Sequence, residues 1–220
     1  MKTEQSILRD KPHWKRADYM IRFLTLYGFV GWIAAFLVGI GVLNIPNNVE
    51  LALADVQSIV ADSHGHIYCD SAMYGRIQVY DASGKFLWAW DYPYKHSSIT
   101  IDKKDRLHVF SGKEFVLSQD GRLLKERPSI KEYDYSSDYS SYRDMRGNVY
   151  KLHTPTLYPR VIKTDPSGRE KTVVSVPFYL WLTGPIFAFL CLIIACMYGY
   201  VISVIRRRAG QDIRNWPWQK

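Results

Sequence analysis

Five residues with metal-binding chemistry fall between positions 62 and 70: Asp62, His64, His66, Cys69 and Asp70. Imidazole, thiolate and carboxylate are the groups that hold zinc, and a structural zinc needs four of them converging on one point. The spacing works against convergence. Side chains alternate between faces along a strand, so Cys69 and His66 point to opposite sides. Asp62 and Gly65 also read as a turn, which accounts for both without a metal. The expectation is therefore no resident metal and no cofactor, with Asp62, His64 and His66 as the residues that would come closest to a site. His96, His108 and His153 are scattered. The sequence holds no nucleophile elbow, phosphate loop, dinucleotide fingerprint or His-Glu-x-x-His stretch, so it assigns no catalytic residue. Its carboxylates sit in turns, although an acid–base pair could still assemble from distant segments.

Stepping outward from Asp62, the same turn recurs. Asp62-x-x-Gly65-x-Ile67-Tyr68 is followed by Asp102-x-x-Asp105-x-Leu107-His108 and by Asp144-x-x-Gly147-x-Val149-Tyr150. A second turn follows each: Asp81-x-x-Gly84, Ser118-x-x-Gly121 and Asp165-x-x-Gly168. The first turns are 40 and 42 residues apart. Each unit has room for four short strands rich in Val, Ile, Tyr, Phe and Trp, types that suit a pleated, half-buried surface. The strands are expected near Val56–Ala61, His66–Asp70, Arg76–Tyr80 and Lys85–Trp90 in the first unit. They recur near Ser98–Ile101, Arg106–Phe110, Glu114–Leu117 and Arg122–Lys125, then near Tyr139–Arg143, Asn148–Leu152, Arg160–Lys163 and Glu170–Val174. Four strands per period of this length is the pattern of propeller blades.

The stretch Gly65-x-Ile67-Tyr68 followed by Arg76-Ile77-Gln78-Val79-Tyr80-Asp81-x-x-Gly84-Lys85-Phe86 resembles the NHL-type repeat of β-propellers. The match is partial in the third unit, at Gly147, Val149, Tyr150, Arg160, Asp165 and Gly168, and slight in the second. The resemblance implies a propeller used to bind proteins, RNA or other ligands, and in a few members to catalyse. Closed propellers have about four to eight blades, whereas this chain has three units. Two chains closing a ring, a related subunit supplying the missing blades, and either an open three-blade arc or a sheet capped by the Tyr133–Tyr142 segment are the alternatives for the sheet edges.

Two apolar stretches bracket the repeats. Phe23–Leu43 and Phe178–Ile205 carry no charge and are long enough to cross a bilayer. The first exceeds the apolar core of a secretory signal, although Ala52-Leu53-Ala54 resembles a small-residue cleavage site. The expected fold is a membrane-anchored all-β protein: a cytoplasmic tail at 1–20, a first span at 21–43 and an extracytoplasmic three-unit propeller-like antiparallel β domain at 44–176. Its units run over 55–97, 98–138 and 139–176. A second span at 177–205 and a basic tail at 206–220 follow. The net charge of +8 lies almost wholly in the two tails, leaving residues 44–177 near neutral. That distribution excludes a nucleic-acid-binding domain, which carries its basic patch in the folded part. The basic tails place both termini in the cytoplasm by the positive-inside rule, with a bacterial plasma membrane as the simplest setting. Trp14, Lys15, Arg16, Arg206, Arg207, Arg208, Trp216 and Trp218 are the expected membrane-interface residues.

Gly31, Ala35 and Gly39 recur at four-residue intervals, so one face of the first span admits another helix closely. Tyr133, Tyr135 and Tyr139, with Trp88 and Trp90, form a possible recognition surface; an inter-blade loop and ordinary strand packing explain the same residues. The expected partners are the lipid bilayer and a protein or second copy engaging open sheet edges and the small-residue helix face. The function expected from this pattern is a non-catalytic binding, sensing or assembly module. The alternative is an envelope enzyme acting on a polymer or lipid-linked substrate.

Overall fold

The computed structural model describes residues 12–92, 97–128, 141–153 and 158–208. Tyr133, Tyr135, Tyr139, His96, Trp216 and Trp218 lie outside them, as do the side chains of Trp14, Lys15, Arg206, Arg207 and Arg208. The described residues form two units: one within residues 33–186, and a helix pair built from residues 12–32 and 187–208.

Twelve strands form three separate four-stranded antiparallel meanders. Blade 1 comprises β1 (Val56–Ala61), β2 (Ile67–Ser71), β3 (Arg76–Tyr80) and β4 (Phe86–Asp91). Blade 2 comprises β5 (Ser98–Ile101), β6 (Leu107–Ser111), β7 (Lys113–Leu117) and β8 (Leu123–Pro128). Blade 3 comprises β9 (Ser141–Arg143), β10 (Val149–His153), β11 (Arg160–Thr164) and β12 (Glu170–Ser175). Every expected strand is present, and most bounds move by a residue or two because each turn also consumes the residue that closes it. All six Asp/Ser-x-x-Gly-type turns carry the same backbone bond, from the amide of the fourth residue to the carbonyl of the first, as in Gly65 to Asp62 and Gly84 to Asp81.

The blades do not lie in chain order. One core cluster joins Ile67, Cys69 and Tyr80 of blade 1 to Tyr150, Leu152, Val161 and Val174 of blade 3. A second joins Tyr68, Ile77 and Val79 of blade 1 to Ile99, Leu107, Val109 and Leu117 of blade 2. Blade 1 is therefore the middle of the arc, with β1 beside both β5 and β9. Alternation along β2 does this: Cys69 faces one neighbour and Tyr68 the other. Every residue of β2 and β3 is buried, whereas every residue of β8 is exposed.

The segment before β1 covers part of blade 1. The side-chain amide of Gln78 brackets Leu51, accepting from its N–H at 2.7 Å and donating to its carbonyl at 3.0 Å. Ala89 donates its N–H to the Asn47 carbonyl at 2.7 Å.

The first apolar helix, α1, spans Pro12–Gly39. It stops four residues short of Leu43, where Gly41 takes a left-handed φ of 74°. The second apolar stretch is two helices, α2 (Phe178–Thr183) and α3 (Pro185–Arg208), separated by Gly184 in an extended conformation. A proline ring at position 185 disfavours helical backbone at the residue before it, so the helix breaks rather than bends. Asp18–Gly39 and Pro185–Val204 are each long and apolar enough to cross a membrane.

In the helix pair, a Cβ on Gly28 would meet Ala188 O at 2.6 Å and Leu192 Cγ at 2.7 Å, and one on Gly31 would meet Ala188 Cβ at 2.9 Å. Tyr27 packs edge-on against Phe187. In the β-domain unit, Ala35 packs with Ala54 and Tyr74, and a Cβ on Gly39 would lie 2.4 Å from the Met73 carbonyl oxygen. Gly28, Gly31, Ala35 and Gly39 of α1 thus each meet residues of the same chain.

Candidate functional site

The three first turns gather the densest polar chemistry among the described residues, and one local rule builds all of them. The Asp62 Oδ1 accepts from the amides of His64 and His66, while Oδ2 faces His66 Nδ1 at 2.8 Å and the Tyr68 hydroxyl at 3.2 Å. Asp144 repeats this with the amides of Arg146 and Asn148, the Asn148 side chain and the Tyr150 hydroxyl. Asp102 repeats it with Lys104, Arg106 and His108. Each carboxylate is an acceptor already saturated by residues two, four and six positions on. Burial next to Asp62 drives the Tyr68 phenol well above its ordinary value, and Tyr150 is pushed up to about 12 by burial and by Asp144.

The densest sequence cluster is accordingly divided. Asp62 is buried in its turn; His66 closes on it, and His64 is exposed. Cys69 lies in the blade 1–blade 3 core, where burial pushes its thiol up. Asp70 faces another set of partners altogether. No group of three or more His, Cys, Asp or Glu side chains placed to hold a metal occurs among the described residues.

Asp105 departs from the repeat pattern. It holds a left-handed φ of 55° where the other two units have Gly65 and Gly147. A non-glycine residue there costs energy. The compensation is a bond across blades: Asp105 accepts from the Ser63 N–H at 2.9 Å and from the Ser63 hydroxyl. His64 stands 3.7 Å from the same carboxylate and 3.1 Å from Gln119 in the β7–β8 turn. Although Ser, His and Asp meet here, the serine hydroxyl is bonded directly to the carboxylate and both neighbours address the same imidazole nitrogen, Nδ1. A nucleophile relay needs the two imidazole nitrogens to serve different partners. The group is a latch between blades 1 and 2.

In blade 2, His108 takes the place held by Tyr68 and Tyr150. Its Nδ1 lies 2.7 Å from Glu114 and its Nε2 lies 3.3 Å from Asp102. The Arg127 guanidinium forks onto Glu114, and that bond, aided by His108, holds the Glu114 carboxyl down at about 2. Arg106 and the turn amides hold Asp102 low against the desolvation that opposes them. Trp88 and Trp90 are half-buried in the blade 1–blade 2 core. Trp88 packs edge-on against Tyr68 and beneath Gly121, and Trp90 against Phe115. Tyr142 leans on both cores.

Asp70 is a fully buried carboxylate that no repeat rule explains. Tyr92 and Ser97 donate to it at 2.5 Å and Ser58 at 3.3 Å. Burial raises its carboxyl from 3.8 to about 6, the bonds from Ser97, Tyr92 and Ser58 pulling the other way. The folded chain therefore binds this proton more tightly than the unfolded chain. The stability this confers is complete below 3.8 and is lost as the pH rises through about 6. Relative to an Asp70→Asn variant, the native chain is expected to lose about 2 kcal/mol between pH 4 and 7.5. Urea unfolding of both proteins across that range measures it. Parallel pH profiles would refute it.

Together these features define a chain with an all-β, propeller-like antiparallel domain and two apolar helices. No family model matches the chain, and no curated protein matches it. Among solved structures it is similar to a streptogramin B lyase (16% identity, TM-score 0.31, 59% of this chain against 42% of that one). It is similar also to a virginiamycin B lyase from Staphylococcus aureus (12%, 0.31, 58% against 43%) and to a luciferin-regenerating enzyme (14%, 0.32, 59% against 48%). The chain spans less than half the length of each. The propeller-like character therefore rests on its own three sheets.

Proposed function

We propose that the chain is a two-span membrane protein that displays its three-blade domain outside a cytoplasmic membrane as a non-catalytic binding, sensing or assembly module. The observation that carries this reading is the blade arrangement. Blade 1 has both faces packed, whereas blades 2 and 3 stand at the two ends of a three-blade arc, below the count at which propellers close. An arc has two ends to offer a protein partner, a second copy included. The carboxylates of the first turns are engaged in holding backbone, which favours binding over acid–base chemistry.

The membrane placement draws on the exposed side chains of the two apolar helices. Phe23, Leu26, Phe29 and Val30 of α1, and Ile194, Met197 and Val201 of α3, are all exposed. A helix in the core of a soluble protein would bury such residues; a bilayer covers them. Arg16 is exposed on the opening turns of α1, on the side given to the cytoplasm.

The test is the native mass of the full chain in mild detergent, taken directly from membranes and again after purification. The expected result is a particle heavier than one chain in the membrane extract. A single-chain particle in both preparations would remove the assembly reading.

A further inference from the structure

We infer that the base of the β domain is itself a lipid-binding surface, seated in the outer interfacial layer of the bilayer rather than held off it on tethers. The inference rests on the two-span reading and extends it from the helices to residues 40–49 and 177–184. Within residues 33–186, the end of α1 and the start of α3 are packed against the β domain by one cluster: Ala35 and Val38, Leu51 and Ala54, Met73 and Tyr74, and Ile186. Contact there is close enough that a Cβ on Gly39 would lie 2.4 Å from the Met73 carbonyl and one on Gly184 2.9 Å from Ala52 Cβ. The domain has no slack between itself and either helix end.

What surrounds that junction is apolar and uncovered. Ile40, Val42 and Leu43 follow α1 directly and are exposed, Val42 by 63%. On the other side α2 buries none of its residues, and Phe178 and Tyr179 are 64% and 66% exposed. No charged side chain occurs between Arg22 and Glu50 or between Lys171 and Arg206.

A six-residue helix is far below the length that is stable alone in water, and this one has no side-chain cap. It needs an apolar medium along its flank. Its composition, Phe-Tyr-Leu-Trp-Leu-Thr, is that of the aromatic belt found where membrane meets water. Phe178 stacks on Trp181, which meets Tyr158 edge-on, so the aromatic rings form one cluster. The extended Gly184 separates α2 from α3, so α2 is not an extra turn of the span. Continuity selects lipid as the occupant: α2 is one residue from the start of one candidate span, and Ile40 is the first residue after the other.

Spin labels on the full chain in phosphatidylcholine–phosphatidylglycerol vesicles test this, with Cys191 and Cys196 replaced by alanine and the buried Cys69 left in place. Labels go on Val42→Cys, Phe178→Cys and Tyr179→Cys. Leu123→Cys and Met145→Cys, exposed apolar positions away from the base, serve as references, and Phe29→Cys and Ile194→Cys report the spans. The ratio of collisions with oxygen to collisions with a polar nickel chelate is expected to be roughly threefold or more higher at the three base positions than at the references. A ratio equal to the references would overturn the lipid surface while leaving the anchors standing. Low collision rates with both reagents would mean that a second copy covers the base, which also overturns it. Water-like ratios at Phe29 and Ile194 would instead remove the two-span reading on which it depends.

Discussion

Replacing Gly84 by alanine is expected to cost more stability than any other single-methyl addition in the β domain, roughly 3 kcal/mol or more. Gly84 closes the β3–β4 turn of blade 1 with φ at 88°. A Cβ there would sit 1.8 Å from the carbonyl oxygen of Val173 in blade 3. Val173 is the residue that the β11–β12 register skips, since Val161 pairs with Val174 and Ile162 with Thr172. The irregularity turns a main-chain carbonyl toward blade 1, and a carbonyl cannot move aside as a flexible side chain can. Relief requires the blades to separate, opening the core they share.

Gly168 isolates the clash from the backbone strain. It occupies the equivalent turn of blade 3 with φ at 83°, and nothing lies within 4 Å of its Cβ position. Gly168→Ala should show only the left-handed penalty, about 1 kcal/mol. Unfolding midpoints of the two variants and the parent in the same detergent settle the comparison. Equal losses would mean that the blade 1–blade 3 contact contributes nothing.

That contact marks the limit of what the sequence carries. The twelve strands were legible because each turn is a local object: an Asp closes onto amides two and four residues later, and Ser118 onto the amide of Arg122, whatever lies around it. Alternation, which separates Cys69 from Tyr68 between the two cores, is local for the same reason. Which blade meets which face was not legible. Placing blade 1 between blades 2 and 3 depends on shape matching between residues such as Tyr80 and Tyr150, about 70 positions apart. The cluster at Asp62, His64, His66, Cys69 and Asp70 looked dense because sequence proximity ignores faces; folding sends its members to a turn, a core and a buried hydroxyl cage. Asp105 did leave a signal, a non-glycine residue at a position that two sister repeats give to glycine. Its reason, the bond to Ser63, exists only once two blades are adjacent. The helix break at Gly184 has a local cause in Pro185, and the stop after Gly39 has one in Gly41, whose left-handed φ of 74° lets its N–H close onto the Val38 carbonyl.

Arg76→Met is expected to free the segment after α1 that covers part of blade 1 and to cost about 3–5 kcal/mol. The Arg76 side chain is fully buried, and its guanidinium donates to the carbonyls of Ile45 at 3.0 Å, Pro46 at 2.8 Å and Val49 at 3.0 Å, and to Asp91 at 2.9 Å. One side chain thus holds three main-chain carbonyls in the segment after α1, of which Pro46 also accepts from the Val49 N–H at 3.0 Å. Methionine fills the volume but returns none of the bonds, so those part-buried carbonyls lose their shared donor. The ion pair itself contributes little by comparison. Asp91 is 44% exposed, so solvent screens the pair, and an asparagine Oδ1 can still accept from the Arg76 guanidinium, which the nearby carbonyls continue to satisfy; Asp91→Asn should cost about 1 kcal/mol or less. Arg76→Lys should recover less than half of the loss, because an ammonium lacks the planar fork that reaches separate carbonyls. The two variants also differ in where they fail. In Arg76→Met the freed segment between Ile45 and Glu50 should become the first site of cleavage by a nonspecific protease, while Asp91→Asn keeps it protected. If both variants lose the same stability, or if Arg76→Met leaves that segment uncut, the segment is held by Gln78 and Ala89 rather than by Arg76.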